Sequence, residues 1–287
     1  MADSGIDIGN INVTPVVTSR FKLDGGSMFG VIPRPLWGRK APADELNRIS
    51  LNSNSFIVRS EGVTVLLEAG MGSKYDERQA RIYSLEPLDA APCCARAGFD
   101  PAKVEVVVLT HLHLDHAGGC TSHLGEAAVP AFGNATHFVQ ASELVHARSG
   151  HPLSSGSYAS EDFEPLDSAG LLRAIEGEVE VARGVTVRPT GGHTPGHQVV
   201  KISSNREEAI YPGDLVPTTA HLKPNWLMAW DLYPVDVYER KIELLSQAAE
   251  RGALLLFSHD PHVAAGMIKR EGSGFSLVEE SVIGTTK

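Results

Sequence analysis

The stretch Val104–Gly119, VEVVVLTHLHLDHAGG, constrains this chain more than any other, because an apolar run delivers three histidines and an aspartate within six residues. Val104, Val106, Val107, Val108 and Leu109 are β-branched or aliphatic, and an unbroken apolar run of this kind suits a strand covered on both faces. His111, His113, Asp115 and His116 follow at its carboxyl end. Imidazoles and a carboxylate gathered in one loop suit zinc or a similar borderline cation at neutral pH. Gly118 and Gly119 are expected to let the backbone turn tightly beneath the metal.

With 287 residues, 42% of them hydrophobic, the chain can bury a substantial core. One domain over 1–287 is expected, with 1–50 supplying an N-terminal strand and a pocket or dimer loop. The formal charge of −10 argues against a nucleic-acid backbone or an anionic membrane as partner, since both demand a basic face. No membrane span is visible, and Met1–Asn10 lacks the basic start and apolar core of a signal peptide, so the cytoplasm is the expected compartment. Cys93, Cys94 and Cys120 lack metal-ligand spacing and suggest no disulfide framework. Cys120 is expected to pack beneath the metal loop.

Ile11–Leu23 reads as an opening strand bent near Pro15. The following DGGSMFGVIPRPLW is too rich in Gly and Pro for a regular element, yet carries Met28, Phe29, Ile32 and Trp37. It lines a pocket or folds onto the core, and the sequence leaves both open. Leu51–Arg59 and Val63–Glu68 read as a hairpin. Helical fragments lie within Lys74–Phe99, a strand at His137–Gln140, a helix at Ala141–Arg148 and an extended loop over 150–167. His123, His137, His146 and His151 match no compact metal motif and read as surface or packing residues. Strands are expected at Val179–Val181, Val185–Pro189, Val199–Ser203, Ala209–Tyr211 and Leu254–Phe257. A helix over Val235–Glu250 would present Val235, Tyr238, Ile242, Leu245 and Ala249 as its apolar stripe.

Chemistry-bearing residues recur at strand ends: His193 and His197 in TGGHTPGH, Asp214 in PGD and His259 in SHD. With the opening loop they suffice for two cations, each with three or more protein ligands, and Asp214 could bridge them. THLHLDHAGG, GGHTPGH, PGD and SHD, in this order, resemble the metallo-β-lactamase superfamily. The resemblance implies a four-layer αββα sandwich with its site at one edge of the sheets. It implies His111, His113 and His193 on one metal, Asp115, His116 and His259 on the other, and Asp214 between them. Di-iron relatives place a glutamate where His113 stands, so two Zn2+ ions are implied. His197 is implied to support the site rather than bind metal.

Within the superfamily, GGSMFGVIPRPLW, HTPGHQ and GDLVPTTAHL are most similar to quorum-quenching N-acyl-homoserine lactonases and related lactonases and organophosphate hydrolases. The chain departs from them twice. Pro217 stands where some of these lactonases carry a carbonyl-polarising tyrosine, and Glu68-Ala69-Gly70 replaces the usual D-x-G. The implied reaction is hydrolysis of a lactone or ester of a neutral, partly apolar small molecule. Asp115 and Asp214 would act in catalysis, Asp115 carrying a proton to the leaving alkoxide. His221 is a candidate oxyanion donor in place of the tyrosine, unless it is a loop histidine without a catalytic task. Met28, Phe29, Trp37, Trp226 and Met228 are expected to line the pocket, and a homodimer to form through the 24–37 loop. The alternative is phosphotriester hydrolysis. A glyoxalase-II-like thioesterase is disfavoured by the roughly fifty residues ahead of the hairpin and the short tail, and a non-catalytic domain by the intact ligand set.

Overall fold

A computed structural model describes residues 5–86, 88–279 and 282–285. In chain order its elements are β1 (Ile6–Ile8), β2 (Ile11–Asp24), α1 (Gly25–Phe29), α2 (Arg34–Trp37), β3 (Arg48–Ser60), β4 (Val63–Leu67), α3 (Glu77–Tyr83), α4 (Ala90–Arg96), β5 (Val106–Val108), α5 (Leu114–Ala117), β6 (Thr121–Leu124), β7 (Ala127–Pro130), β8 (Thr136–Gln140), α6 (Ala141–Arg148), α7 (Glu164–Ser168) and β9 (Leu172–Ile175). The second half adds β10 (Val179–Ala182), β11 (Val185–Pro189), β12 (Gln198–Ser204), β13 (Glu207–Tyr211), α8 (Pro234–Arg251), β14 (Leu254–Leu256), β15 (Val263–Glu271), β16 (Gly274–Leu277) and β17 (Ile283–Gly284). Strands β1-β2-β3-β4-β5-β8-β9 form one sheet, and β10-β11-β12-β13-β14-β15-β16, with β17 beside β15, the other.

The side chains of β5 show why four layers result. Val106 and Val108 point between the sheets, where they join Phe56, Leu67, Val187, Val200 and Tyr211 in one core. Val107, one residue out of phase, joins Ala90, Cys93, Cys94 and Leu166 under the helices covering the first sheet. The second sheet is covered by α8, whose Leu245 and Ala248 meet Leu255, Phe257 and Ile268. This is the αββα sandwich the motifs imply. No helix among the described residues is long and apolar enough to cross a membrane.

Four expectations change in detail. Strand β2 runs straight through Pro15, which pairs with Phe56, and its register shifts instead between Val17 and Ser19. Proline is tolerated there because β1 pairs only as far as Val13, so the missing N–H breaks no ladder on that side. Residues 24–37, expected to be irregular, contain α1 and α2: Asp24 Oδ1 accepts from Ser27 N–H at 2.8 Å to cap the first, and Pro35 sits in the opening turn of the second. The buried face of α8 is Val237, Lys241, Leu245 and Ala248, while Val235 and Tyr238 are exposed. Lys241 belongs to that face because its ammonium donates to the Trp226 carbonyl at 2.8 Å, a partner that hydrophobicity cannot reveal. Finally, β1, β6, β7, β9, β15, β16 and β17 lie where the sequence analysis places no strand; in β9 two of the four residues are exposed.

Candidate metal centre

The ligand candidates sit just beyond the carboxyl ends of parallel and antiparallel strands that reach the same edge: His111 after β5, His193 after β11, Asp214 after β13 and His259 after β14. Candidate ligand atoms of His111, His113 and His193 lie within 4.8 Å of one another, as do those of Asp115, His116 and His259, and His111, His116 and Asp214 connect the two groups. Asp214 faces both sides. Its Oδ2 stands 3.4 Å from His193 Nε2 and 4.0 Å from His111 Nε2, its Oδ1 3.2 Å from His116 Nε2 and 3.1 Å from His259 Nε2.

Three observations show that the cluster suits a divalent cation. His113 Nδ1 and His193 Nε2 approach to 3.1 Å, and His116 Nε2 and His259 Nε2 to 3.0 Å. Two nitrogens each about 2.0–2.1 Å from one tetrahedral ion stand close together in this way. His111 Nε2 is buried without any hydrogen-bond partner, although its Nδ1 is hydrogen-bonded to Thr110 Oγ1 at 2.9 Å. Burial and neighbouring imidazoles hold His111 and His113 well below the ordinary histidine pKa, in the neutral ligand form. Burial opposes charge on His116 as well, but Asp214, Asp115 and Glu68 outweigh it and raise its pKa. The same balance, with Asp231 and Asp214 as the opposing carboxylates, raises His193. These carboxylates call for positive charge that a cation supplies.

The support around the cluster departs from expectation at the glycines. Neither Gly118 nor Gly119 has a positive φ. Each is required because a Cβ would collide with the backbone carbonyls of Met71 and Ala69, respectively, which press against the loop. The buried Lys74 donates to the carbonyls of Gly118 and Thr121 and pairs with Asp162 at 3.0 Å, bracing the same turn. Glu68, in place of the usual aspartate, still delivers a carboxylate: Oε1 accepts from Thr110 N–H at 2.8 Å, and Oε2 stands 3.6 Å from His116 Nδ1. Its φ of 60° is a left-handed conformation uncommon outside glycine. His197 accepts from Asp214 N–H at 3.2 Å through Nε2 and bonds Thr190 Oγ1 through Nδ1, so both nitrogens are engaged in holding the turn.

A cavity of about 380 Å³ opens on the cluster. His113, Asp115, His193, Asp214 and His259 line its floor; Phe21, Leu23, Met28, Met71, Tyr83, Leu114, Pro152, Leu153, Met228 and Trp230, with Gly156 and Ser157, form its mainly apolar walls, and no Lys or Arg among the described residues reaches it. Of the five residues expected at a pocket, Met28 and Met228 line this cavity. Phe29, Trp37 and Trp226 do not line it. They are buried one layer behind, with Phe29 stacked on Trp37 at 5.3 Å and set edge-on to Trp226 at 5.4 Å. His221 also requires correction as an oxyanion donor. It is fully buried, its Nδ1 bonded to Thr218 Oγ1 at 2.8 Å and its Nε2 to the Met28 carbonyl at 2.9 Å, and it stacks on Phe29 at 5.0 Å. Pro217 is buried too, and its carbonyl accepts from His259 N–H. Tyr158 donates its hydroxyl to Glu143, whereas Tyr83 lines the cavity.

His221 and His137 bear on acid sensitivity. Burial pulls the pKa of each down to about 4, the Lys241 charge adding to the effect at His221. Both are therefore neutral in the fold, while the unfolded chain binds protons at these residues below about pH 6.5. Stability from this source is full above pH 6.5 and is withdrawn as pH falls from 6.5 toward 4. At pH 5 the two together should have cost about 4 kcal/mol relative to neutral pH. Urea unfolding at pH 7 and pH 5 measures this, and His137→Asn should lower the acid sensitivity by about one proton. An unchanged pH dependence in that variant would contradict the neutral buried state.

Two carboxylates central to the site belong to none of the quoted motifs. Glu143 of α6 is fully buried and accepts from Leu112 N–H at 3.0 Å, Tyr158 Oη at 2.9 Å, Thr194 Oγ1 at 2.5 Å and Gly196 N–H at 3.2 Å. Gly196 must lack a side chain because its Cβ would enter Glu143 itself. Asp231 accepts from His193 Nδ1 at 2.8 Å. An acid in an otherwise apolar run, as in WLMAWDL, was the available signal for the second.

Fold and cluster together define an αββα sandwich whose grouped histidines and aspartates suit a divalent metal. The family profile of the metallo-beta-lactamase superfamily matches residues 49–259, and the chain belongs to that superfamily. An N-acyl homoserine lactonase, AttM, of Rhizobium radiobacter is 32% identical over 180 residues, which cover 60% of this chain and 64% of that relative, so the match leaves about a third of the relative's length aside. The crystal structure of a probable metal-dependent hydrolase from Staphylococcus aureus superposes with a TM-score of 0.90 at 29% identity, covering 98% of this chain and 99% of that one. A dizinc quorum-quenching lactonase, AidC, solved with a product, superposes with a TM-score of 0.79 at 21% identity, covering 96% of both chains.

Proposed function

We propose that this protein is a dizinc hydrolase that opens lactone rings or cleaves esters of neutral, partly apolar small molecules, N-acyl-homoserine lactones first among them. The observation that carries this reading is the two-sided ligand cluster opening onto a cavity with apolar walls and no cationic side chain. Away from the cluster the walls offer an anionic group no Lys or Arg to pair with, whereas an apolar tail on an uncharged ring can be desolvated against them at little cost. His111, His113 and His193 would hold one cation, Asp115, His116 and His259 the other, with Asp214 shared. Bound there, two zinc ions supply Lewis acidity and a nucleophile drawn from water at neutral pH.

The chain's own groups do the remainder. Asp115 lines the cavity with its side chain 14% exposed, and its oxygens stand 3.8 Å from His116 Nε2 and 3.5 Å from His259 Nε2. It is placed to pass a proton from the cluster to a departing alkoxide. Leu153 and Met228 give the tail an apolar surface. Val31 and Leu36, 94% and 52% exposed on the 24–37 segment, favour a homodimer through that face.

The test is metal analysis combined with a substrate panel. We expect about two zinc ions per chain, and turnover of acyl-homoserine lactones well above that of a paraoxon-like phosphotriester. Strong phosphotriester activity with weak lactone activity would favour the organophosphate alternative. A chain loaded with two zinc ions that turns over none of these substrates would sink both.

A further inference from the structure

The Asp231 carboxylate is only 1% exposed, and both of its oxygens are engaged in different parts of the site. Oδ1 accepts from His193 Nδ1 at 2.8 Å, and Oδ2 accepts from the backbone N–H of Met228 at 2.9 Å. Met228 and Trp230 form cavity wall, and His193 forms floor. The segment is anchored on two further sides: Leu232 N–H donates to the His193 carbonyl at 3.1 Å, and Lys241 Nζ donates to the Trp226 carbonyl at 2.8 Å. Two other histidines of the cluster are steadied by neutral groups, His111 by the Thr110 hydroxyl and His259 by the Asn52 carbonyl at 2.8 Å, while Glu68 stands 3.6 Å from His116 Nδ1, beyond hydrogen-bond distance. His193 is held by a carboxylate at hydrogen-bond distance, which fixes its tautomer and ring angle and makes Nε2 a stronger donor of its lone pair.

We propose that Asp231 is a positioning residue that ties the alignment of His193 to the backbone of the apolar wall, so that metal retention and discrimination of the substrate's tail are set by one carboxylate. The inference rests on the two-cation reading above. An amide cannot replace it: asparagine has one oxygen to accept with, and its NH2 would face whichever N–H remained.

The full-length chain and the variants Asp231→Asn, Asp231→Ala and Lys241→Met test this. Zinc retention is titrated against EDTA, the visible spectrum is recorded after Co2+ loading, and kcat and KM are measured on short- and long-chain acyl-homoserine lactones. Asp231→Asn and Asp231→Ala should each release one of the two ions about 10- to 100-fold more readily, alter the Co2+ spectrum and shift the long-to-short ratio of kcat/KM. Lys241→Met loosens the same loop at its other anchor, and should shift the chain-length ratio while holding both ions as the parent does. Asp231→Asn preserves side-chain volume and decides the matter if the alanine variant does not fold. Parental metal affinity in the Asp231 variants overturns the proposal. So does equal metal loss in Lys241→Met, because the cause would then be general loosening of the loop. A parent chain that binds fewer than two zinc ions overturns the two-cation reading and this inference with it.

Discussion

Asp214→Ala should reduce hydrolysis of every accepted lactone or ester by about 10³-fold or more, because in the proposed mechanism the nucleophile would depend on bound metals, which bring the pKa of water from about 15.7 to about 7. The expectation follows from how the carboxylate is shared. Its two oxygens face different histidine pairs, His111 with His193 and His116 with His259, at 3.1–4.0 Å. Alanine would remove a proposed ligand from both sides at once, leaving five imidazoles and Asp115 around a centre without its shared carboxylate. Burial would raise the Asp214 pKa, but His116 and His259 beside it outweigh that and hold it well below the ordinary carboxylate value, so it is ionised at neutral pH. Asp214→Asn keeps one good acceptor oxygen and should retain one cation better than the other. Metal content and turnover measured on the same samples decide the point. Parental activity of Asp214→Ala on lactones, esters and phosphotriesters alike would end the metal mechanism.

The seven ligand candidates were legible because metal chemistry restricts residue type and because each follows an apolar strand. Asp214 and His259 lie far from the opening loop in sequence, yet His259 follows the buried run Leu254–Leu256 and Asp214 follows β13, whose Ala209 and Tyr211 are buried, so each stands at the end of a strand that enters the core. What failed was the inference from apolar content to pocket wall. Phe29, Trp37 and Trp226 have the composition of a cavity lining, but large aromatics also form the layer behind one, and only packing distinguishes the two. His221 failed for a related reason. Its position after Asp214 suggests a task, whereas both nitrogens are consumed, one by the hydroxyl of Thr218 three residues before it and the other by the Met28 carbonyl, from a segment whose approach no local pattern encodes. Lys241 likewise rotated the stripe of α8, since a buried ammonium is placed by its acceptor and not by amphipathic period.

Glu143→Ala should cost roughly 3–6 kcal/mol, enough to threaten a fold whose total stability is of order 5–15 kcal/mol. The carboxylate accepts four hydrogen bonds from three separate segments, and alanine would strand their donors in the interior. Each unsatisfied buried donor costs about 1–3 kcal/mol, partly relieved by water entering the space left behind. The melting temperature should fall by about 10 °C or more. Glu143→Gln retains one oxygen but turns an NH2 toward another donor, so it should be intermediate. Tyr158→Phe removes one of the four donors without exposing the rest, and should cost about 1 kcal/mol. The functional consequence comes from which segments are joined. Leu112 lies between His111 and His113, and Thr194 directly follows His193, so three ligand candidates on one side of Asp214 are aligned through this carboxylate. The ring of Tyr158 packs edge-on to His113 at 4.8 Å, which brings the segment behind Leu153 into the same unit. In the temperature range where Glu143→Gln remains folded by near-ultraviolet circular dichroism, it should therefore bind zinc more weakly than the parent. A melting temperature within about 3 °C of the parent in Glu143→Ala, with zinc content unchanged, would show that the four hydrogen bonds neither hold the fold nor align the ligands.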